Sequence, residues 1–173
     1  ARNGRGILFC GAGFSADSLN FTDDSTIGVG SHLLAFINER LAHYGHESGF
    51  RILPNAAAKA KDKFGSNGLM TELKERFFLE NISSDMVDIL RFPWERIYTT
   101  NFDNALEIAA ARAKLATKPF NNLDSPSDIS ESRVPIIYLH GRAESWDIRN
   151  FDNSCILGAD SYHDISRIKP WLD

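Results

Sequence analysis

A chain of 173 residues with 43% hydrophobic and 24% charged side chains holds enough apolar material for one core and too little for two. Its formal net charge of −4 argues against a broad basic surface for nucleic acid or anionic membrane. No apolar run reaches the roughly 20 residues of a membrane span, so the expectation is one intracellular, cytoplasmic domain over residues 1–173 with no membrane partner and no direct nucleic-acid contact.

The first element in chain order is the apolar block Ile7-Leu-Phe-Cys10, which reads as a strand covered on both faces of a parallel sheet. Gly11, Ala12 and Gly13 follow, with Ser15 and Ala16 placed to open a helix, so Gly11-x-Gly13-x-x-Ala16 fits the dinucleotide fingerprint. Backbone N–H groups in such a turn approach a pyrophosphate, and a helix N-terminus adds partial positive charge. An ordinary strand-to-helix turn leaves the same trace. Residues 17–30 are polar without an apolar period and read as a loop passing over the site.

Leu33, Leu34, Ile37 and Leu41 predict an amphipathic helix capped at Ser31 and closed near Gly45. His32, His43 and His46 on or beyond it have no metal-ligand spacing. Residues 54–64 predict a helix with Pro54 near its start, and residues 66–78 another with Leu69, Met70, Leu73 and Phe77 buried. Ser83 and Ser84 cap a short helix to Leu90, which makes residues 31–92 a wholly helical span. Glu95-Arg-Ile-Tyr-Thr-Thr100 is a second strand running into Asn101-Phe-Asp-Asn104 and an alanine-rich helix over 105–115. Residues 121–134 read as an exposed connection. Pro135-Ile-Ile-Tyr-Leu-His-Gly141 is a third strand, residues 142–154 a polar loop or hairpin around Trp146, and Cys155-Ile-Leu157 one further short strand. Residues 159–168 read as helical, with Pro170 ending the pattern and His163 at the surface. Cys10 and Cys155 read as buried free thiols, Trp94, Trp146 and Trp171 as packing residues, and Lys59, Lys61 and Lys63 as a solvated helix face. Strands alternating with helices predict an α/β fold, a Rossmann-like doubly wound parallel sheet with a large helical insertion after the first strand-turn.

In such a sheet, ligands bind outside the carboxyl ends of the strands. Three strand ends here carry Gly11, Ala12, Gly13 and Ser15; Thr99, Thr100, Asn101 and Asp103; and His140 with Gly141. Taken singly, Asn101 or Asp103 could cap a helix and His140 could be a satisfied strand-end histidine. Taken together, they would meet in one crevice.

Gly11-Ala-Gly-Phe-Ser15, Thr99-Thr-Asn-Phe-Asp103 and Leu139-His-Gly141 resemble, in order and rough spacing, the three signature motifs of the sirtuin family. The resemblance is closer to the sirtuin-like (Sir2-like) NADase domains of bacterial anti-phage defence proteins, and residues 31–92 take no part in it. It implies a hydrolase for which NAD is the substrate, cleaved to ADP-ribose and nicotinamide. Gly11, Ala12, Gly13 and Ser15 would hold the pyrophosphate and adjoining ribose. Asn101 would position the attacking water and the nicotinamide ribose, beside Thr100. Asp103 would contact the carboxamide or ribose, and His140, next to Gly141, would be the general base. The resemblance further implies antiviral defence, a homo-oligomer, sensor or NTPase-type domains elsewhere in the same chain and a phage-derived trigger.

The chain departs from deacetylating sirtuins in four places. Ser18-Leu-Asn-Phe-Thr-Asp-Asp24 stands where they carry a Gly-Ile-Pro-Asp-Phe-Arg type segment, and Thr100 stands where they carry glutamine. Two cysteines cannot build their four-cysteine zinc module, so no metal is expected. Their Gly-Thr-Ser segment is also missing, which implies an incomplete fragment of a larger chain. An NAD-dependent protein deacylase and a non-catalytic NAD or ADP-ribose-binding module are the alternative readings. A redox Rossmann enzyme lacks its acidic ribose-binding residue, because that region is the Leu33 to Leu41 helix.

Overall fold

In the computed structural model, which describes residues 6–130, 132–158, 166 and 168–172, the β-prone runs form a parallel sheet and the periodic segments pack against it as helices. The first half holds β1 (Gly6–Cys10), β2 (Leu19–Asn20), α1 (Gly30–His43), α2 (Leu53–Phe77), β3 (Leu79–Asn81) and α3 (Ser84–Leu90). The second holds β4 (Trp94–Thr99), α4 (Ala105–Arg112), β5 (Thr117–Asn121), β6 (Val134–Tyr138), α5 (Phe151–Ser154) and α6 (Lys169–Leu172). The main sheet runs β1-β4-β6-β5 with all neighbours parallel, and β2 pairs with β3 antiparallel. This is the expected Rossmann-like α/β arrangement, with its large excursion between β1 and β4.

Side chains alternate across a strand, so consecutive apolar residues feed two cores. Leu8, Cys10, Ile97, Ile136 and Tyr138 join the buried residues of α1, α2, α3 and α4 in the larger core. Tyr98, Phe120, Ile137 and Leu139 turn to the other face and meet Trp171 of α6. That second cover is partial, which corrects the expectation for β1. Ile7 is 63% and Phe9 61% exposed, because β1 is an edge strand while Trp171 packs at the far side on Phe120, 5.5 Å between rings.

No helix follows Gly13, contrary to expectation. Residues 12–17 form successive turns whose bonds reach back three residues, Phe14 N–H to Gly11 O and Ser18 N–H to Ser15 O, each 2.9 Å. Local spacing permits a helix here, but Ser15 is drawn into the interior at 2% exposure by partners on β4's end. The segment over 17–30 is not all loop, since Asn20 anchors β2 by donating Nδ2 to the Glu75 and Arg76 carbonyls at 2.6 and 2.7 Å. Its partner β3 likewise interrupts the span read as wholly helical, as do the non-helical residues between α1 and α2.

Helix α1 begins at Gly30 with Val29, not Ser31, as its N-cap, and the His32 Nδ1 accepts the Val29 N–H at 3.2 Å. It closes at Gly45 as expected, with the His46 N–H on Leu41 O. Pro54 lies in the first turn of α2, and the two expected helices there meet at a break, Gly65, with φ 68° and ψ 169°. Leu69, Met70, Leu73 and Phe77 are buried. Helix α4 stops at Arg112, short of residue 115, because Lys114 turns left-handed at φ 58°.

The sequence reading missed β5. Its Thr-Lys-Pro-Phe-Asn run contains Pro119, which an edge strand tolerates because it needs no donor on its open side. Its end corrects the exposed connection expected from residue 121: Asn121 and Asn122 are 7% and 4% exposed. Residues 155–157 are buried but form no strand; the Ile156 N–H bonds to His140 O at 2.9 Å. Most of the expected 159–168 helix, with His163, lies outside the described residues, and Pro170 sits within α6 and does not end the pattern. Trp146 and Trp171 are buried at 2% each, and both cysteines are buried and free. No helix among the described residues is long and apolar enough to cross a membrane.

Candidate active site

The order β1-β4-β6 sets the three motif-bearing strand ends side by side. Register keeps them level, since Cys10 pairs with Thr99 and Thr99 with Tyr138. The Thr100 N–H closes on Cys10 O at 3.2 Å and the Leu139 N–H on Thr99 O at 2.9 Å. Beyond this edge lies a cavity of about 150 Å³ whose lining includes Ala12, Ser15, Thr100, Asn101, Asp103 and His140. Ile27, Val29, Leu33, Leu53, Phe77 and Leu157 supply its apolar wall. A larger cavity of about 420 Å³ lies across the shared residues Phe77 and Phe102, lined by Lys74, Phe78, Asn104 and Arg142. We place the site in the smaller one, because the strand-end residues Ser15, Thr100, Asn101, Asp103 and His140 line it and none of them lines the larger.

Three side chains at the cavity floor form one relay. Asn101 donates Nδ2 to Ser15 Oγ at 2.9 Å, and Ser15 donates that hydroxyl to Asp103 Oδ2 at 2.7 Å. A carboxylate only accepts, so the relay has a single sense, and it orients the Asn101 amide. Asp103 Oδ1 accepts the Ala105 N–H at 3.0 Å, so the carboxyl also serves the start of α4. Burial raises the Asp103 carboxyl above the usual carboxylate range, opposed by its bonds from Ser15 and the Ala105 N–H. Burial likewise pushes the Cys10 thiol up to about 12, with the Asp103 charge adding to it, so this buried sulfur stays protonated and unreactive.

His140 stands at the end of β6, half-buried, its ring 6.4 Å from that of Phe102. Burial lowers its pKa, which keeps the imidazole neutral at physiological pH and able to accept a proton. Gly141 does not line the cavity. It turns with φ +98°, and a Cβ there would fall 2.3 Å from Ser154 O, so the residue type serves the turn behind His140. Gly11 sits at the end of β1, also outside the lining, and the exposed Gly13 would meet nothing within 4 Å if it carried a Cβ. With Ala12 it leaves the rim open to an incoming group.

The structure thus brings Ala12, Ser15, Thr100, Asn101, Asp103 and His140 together and sets Gly11, Gly13 and Gly141 around them. Sequence reading set the 17–30 loop over the site but did not single out Ile27 and Val29 as part of its apolar wall, and it missed Leu53 and the fourth strand end, Asn121-Asn122. The only local signal for the latter is a polar pair after a β-prone run that proline disguises. Among the described residues, no group of His, Cys, Asp and Glu side chains could hold a metal ion.

Compared with known families, residues 95–173 match the SIR2-like domain. SIR2-like domains are generally NAD-dependent enzymes, and the matched residues include Asn101, Asp103 and His140. No curated protein matches the chain.

Proposed function

We propose that this chain, which carries a SIR2-like domain, is an NAD+ glycohydrolase that releases nicotinamide and ADP-ribose. The observation that carries the reading is the meeting of an oriented Asn101 amide and a neutral His140 imidazole in one cavity with an apolar wall. At about 150 Å³ the cavity is below the ~300–1,000 Å³ that enclose a whole small ligand. In this reading it takes the nicotinamide end, with the pyrophosphate over the Ala12 and Gly13 rim. As the C1′–N bond breaks, its electron pair passes to the pyridinium nitrogen and nicotinamide leaves neutral, needing no general acid. A water held by Asn101 bonds to C1′ and gives its proton to His140. Asp103, with one oxygen on Ser15 and the other on the Ala105 N–H, acts on this step by fixing Asn101.

The resemblance of the three motifs extends the proposal to an effector role in anti-phage defence. Under it, the domain acts in a homo-oligomer, coupled to sensor or NTPase-type domains and released by a phage-derived trigger. The deacylase alternative predicts O-acyl-ADP-ribose from an acylated peptide, and the binding-module alternative predicts NAD+ binding without nicotinamide.

Chromatography of the products from purified protein and NAD+ tests the reading. Wild type should yield nicotinamide and ADP-ribose, while Asn101→Ala and His140→Ala should each lose about 10²–10⁴-fold in rate while remaining folded. Retained turnover in both folded variants overturns the assignment.

A further inference from the structure

The fourth strand end carries a buried amide whose bonding is one-sided. Asn122 follows β5 directly, is 4% exposed, and donates Nδ2 to Leu139 O at 3.3 Å and to Ser154 O at 2.9 Å. Both amide hydrogens are used, while Oδ1 is buried without a hydrogen-bond partner among the described residues. An unpaired buried acceptor costs stability, so the donor end must hold something in return. What it holds flanks His140 on both sides. Leu139 precedes His140, and Ser154 O lies against Gly141, close enough to forbid any side chain there. One residue-pair further along, the Ile156 N–H fastens His140's own carbonyl at 2.9 Å. Asn121, its neighbour, does not reach that segment: its Nδ2 bonds to Ser145 Oγ at 2.7 Å, while its Oδ1 accepts the Asn122 N–H at 2.7 Å and so steadies Asn122 itself.

We propose that Asn122 is a positioning residue for His140, its amide tying the end of β6 to the 154–156 segment so that the imidazole is presented at a fixed place in the cavity. The catalytic consequence rests on the glycohydrolase reading; the mechanical one does not. Groups that orient a reacting side chain in this way are worth about 10–100-fold in activity, by analogy with the outer partners of metal-bound histidines.

The test compares Asn122→Ala with Ser145→Ala, which removes the Asn121 Nδ2 partner and no bond of Asn122, in the whole chain, reading nicotinamide release, amide hydrogen exchange at Ile156 and the His140 ring signals by NMR. Asn122→Ala should lower kcat about 10–100-fold with KM for NAD+ unchanged. It should also speed exchange at Ile156 and move the His140 ring signals, and Ser145→Ala should do none of these. An unchanged kcat in folded Asn122→Ala, or equal effects from both variants, overturns the proposal. If wild type releases no nicotinamide, the glycohydrolase reading fails by itself. The Ile156 and His140 signals then decide the clamp, altered only by Asn122→Ala if it holds and unaltered if it does not. Should Asn122→Ala fail to fold, Asn122→Ser, whose hydroxyl is too short to span both carbonyls, carries the same expectations and the same refutation.

Discussion

Asp103 joins the fold to the proposed site, with one carboxyl oxygen on Ser15 and the other on the Ala105 N–H. Its carboxyl is 4% exposed and its pKa is raised, first by burial. A raised folded-state value means that the native state holds its proton at a pH where the unfolded chain, near 3.9, has lost it. Stability from this group is therefore highest in acid and falls as pH rises from about 4 through the folded value. Urea unfolding across that range should show the decline in wild type and a flatter profile in Asp103→Asn, which carries no charge to bury. His140 works in the opposite sense. Its lowered pKa keeps the imidazole unprotonated to below the ordinary histidine value of about 6.5, so, with His140 as the proposed base, the acid limb of the kcat/KM profile for nicotinamide release should fall below pH 6.5. An acid limb above that value would assign the proton transfer to another group. The identities of Asn101, Asp103 and His140 were legible as strand-end residues. That Ser15 stands between Asn101 and Asp103 was not, because the bond joins residues 88 positions apart.

At the scale of elements, apolar period and punctuation read well where a helix has to bury one stripe. The two halves of α2 were legible on either side of Gly65, whose φ of 68° and ψ of 169° belong to a region essentially reserved for glycine. Nothing lies within 4 Å of a Cβ built there, so Gly65→Ala should cost about 1–3 kcal/mol through the backbone alone. Thermal unfolding of that variant checks the figure, and no loss would mean that the break relaxes into continuous helix. Strands β2 and β3 were not legible, being two and three residues long and defined only by each other and by the Asn20 amide. Strand β5 was hidden by Pro119, which reads as a breaker until its place at the sheet edge is known.

For the whole molecule, the arrangement that matters is the alignment of strand ends over one cavity, with an open rim at Ala12 and Gly13. A ligand that binds the folded state alone stabilises it by mass action, about 2.7 kcal/mol at a hundred times its Kd. The His140→Ala protein, slowed in turnover under the proposed mechanism, should therefore gain unfolding temperature with added NAD+, and its failure to do so would remove NAD+ from this cavity. The parallel α/β class, the three motif-bearing strand ends and the helical stripes were readable from local pattern, because a buried strand needs an unbroken apolar run and a packed helix needs a period of 3.6 residues. Strand order, the turn in place of a helix after Gly13, the exposure of Ile7 and Phe9 and the reach of Asn122 toward His140 came from the fold. Each depends on which distant residue arrives as a neighbour, and no local spacing encodes that.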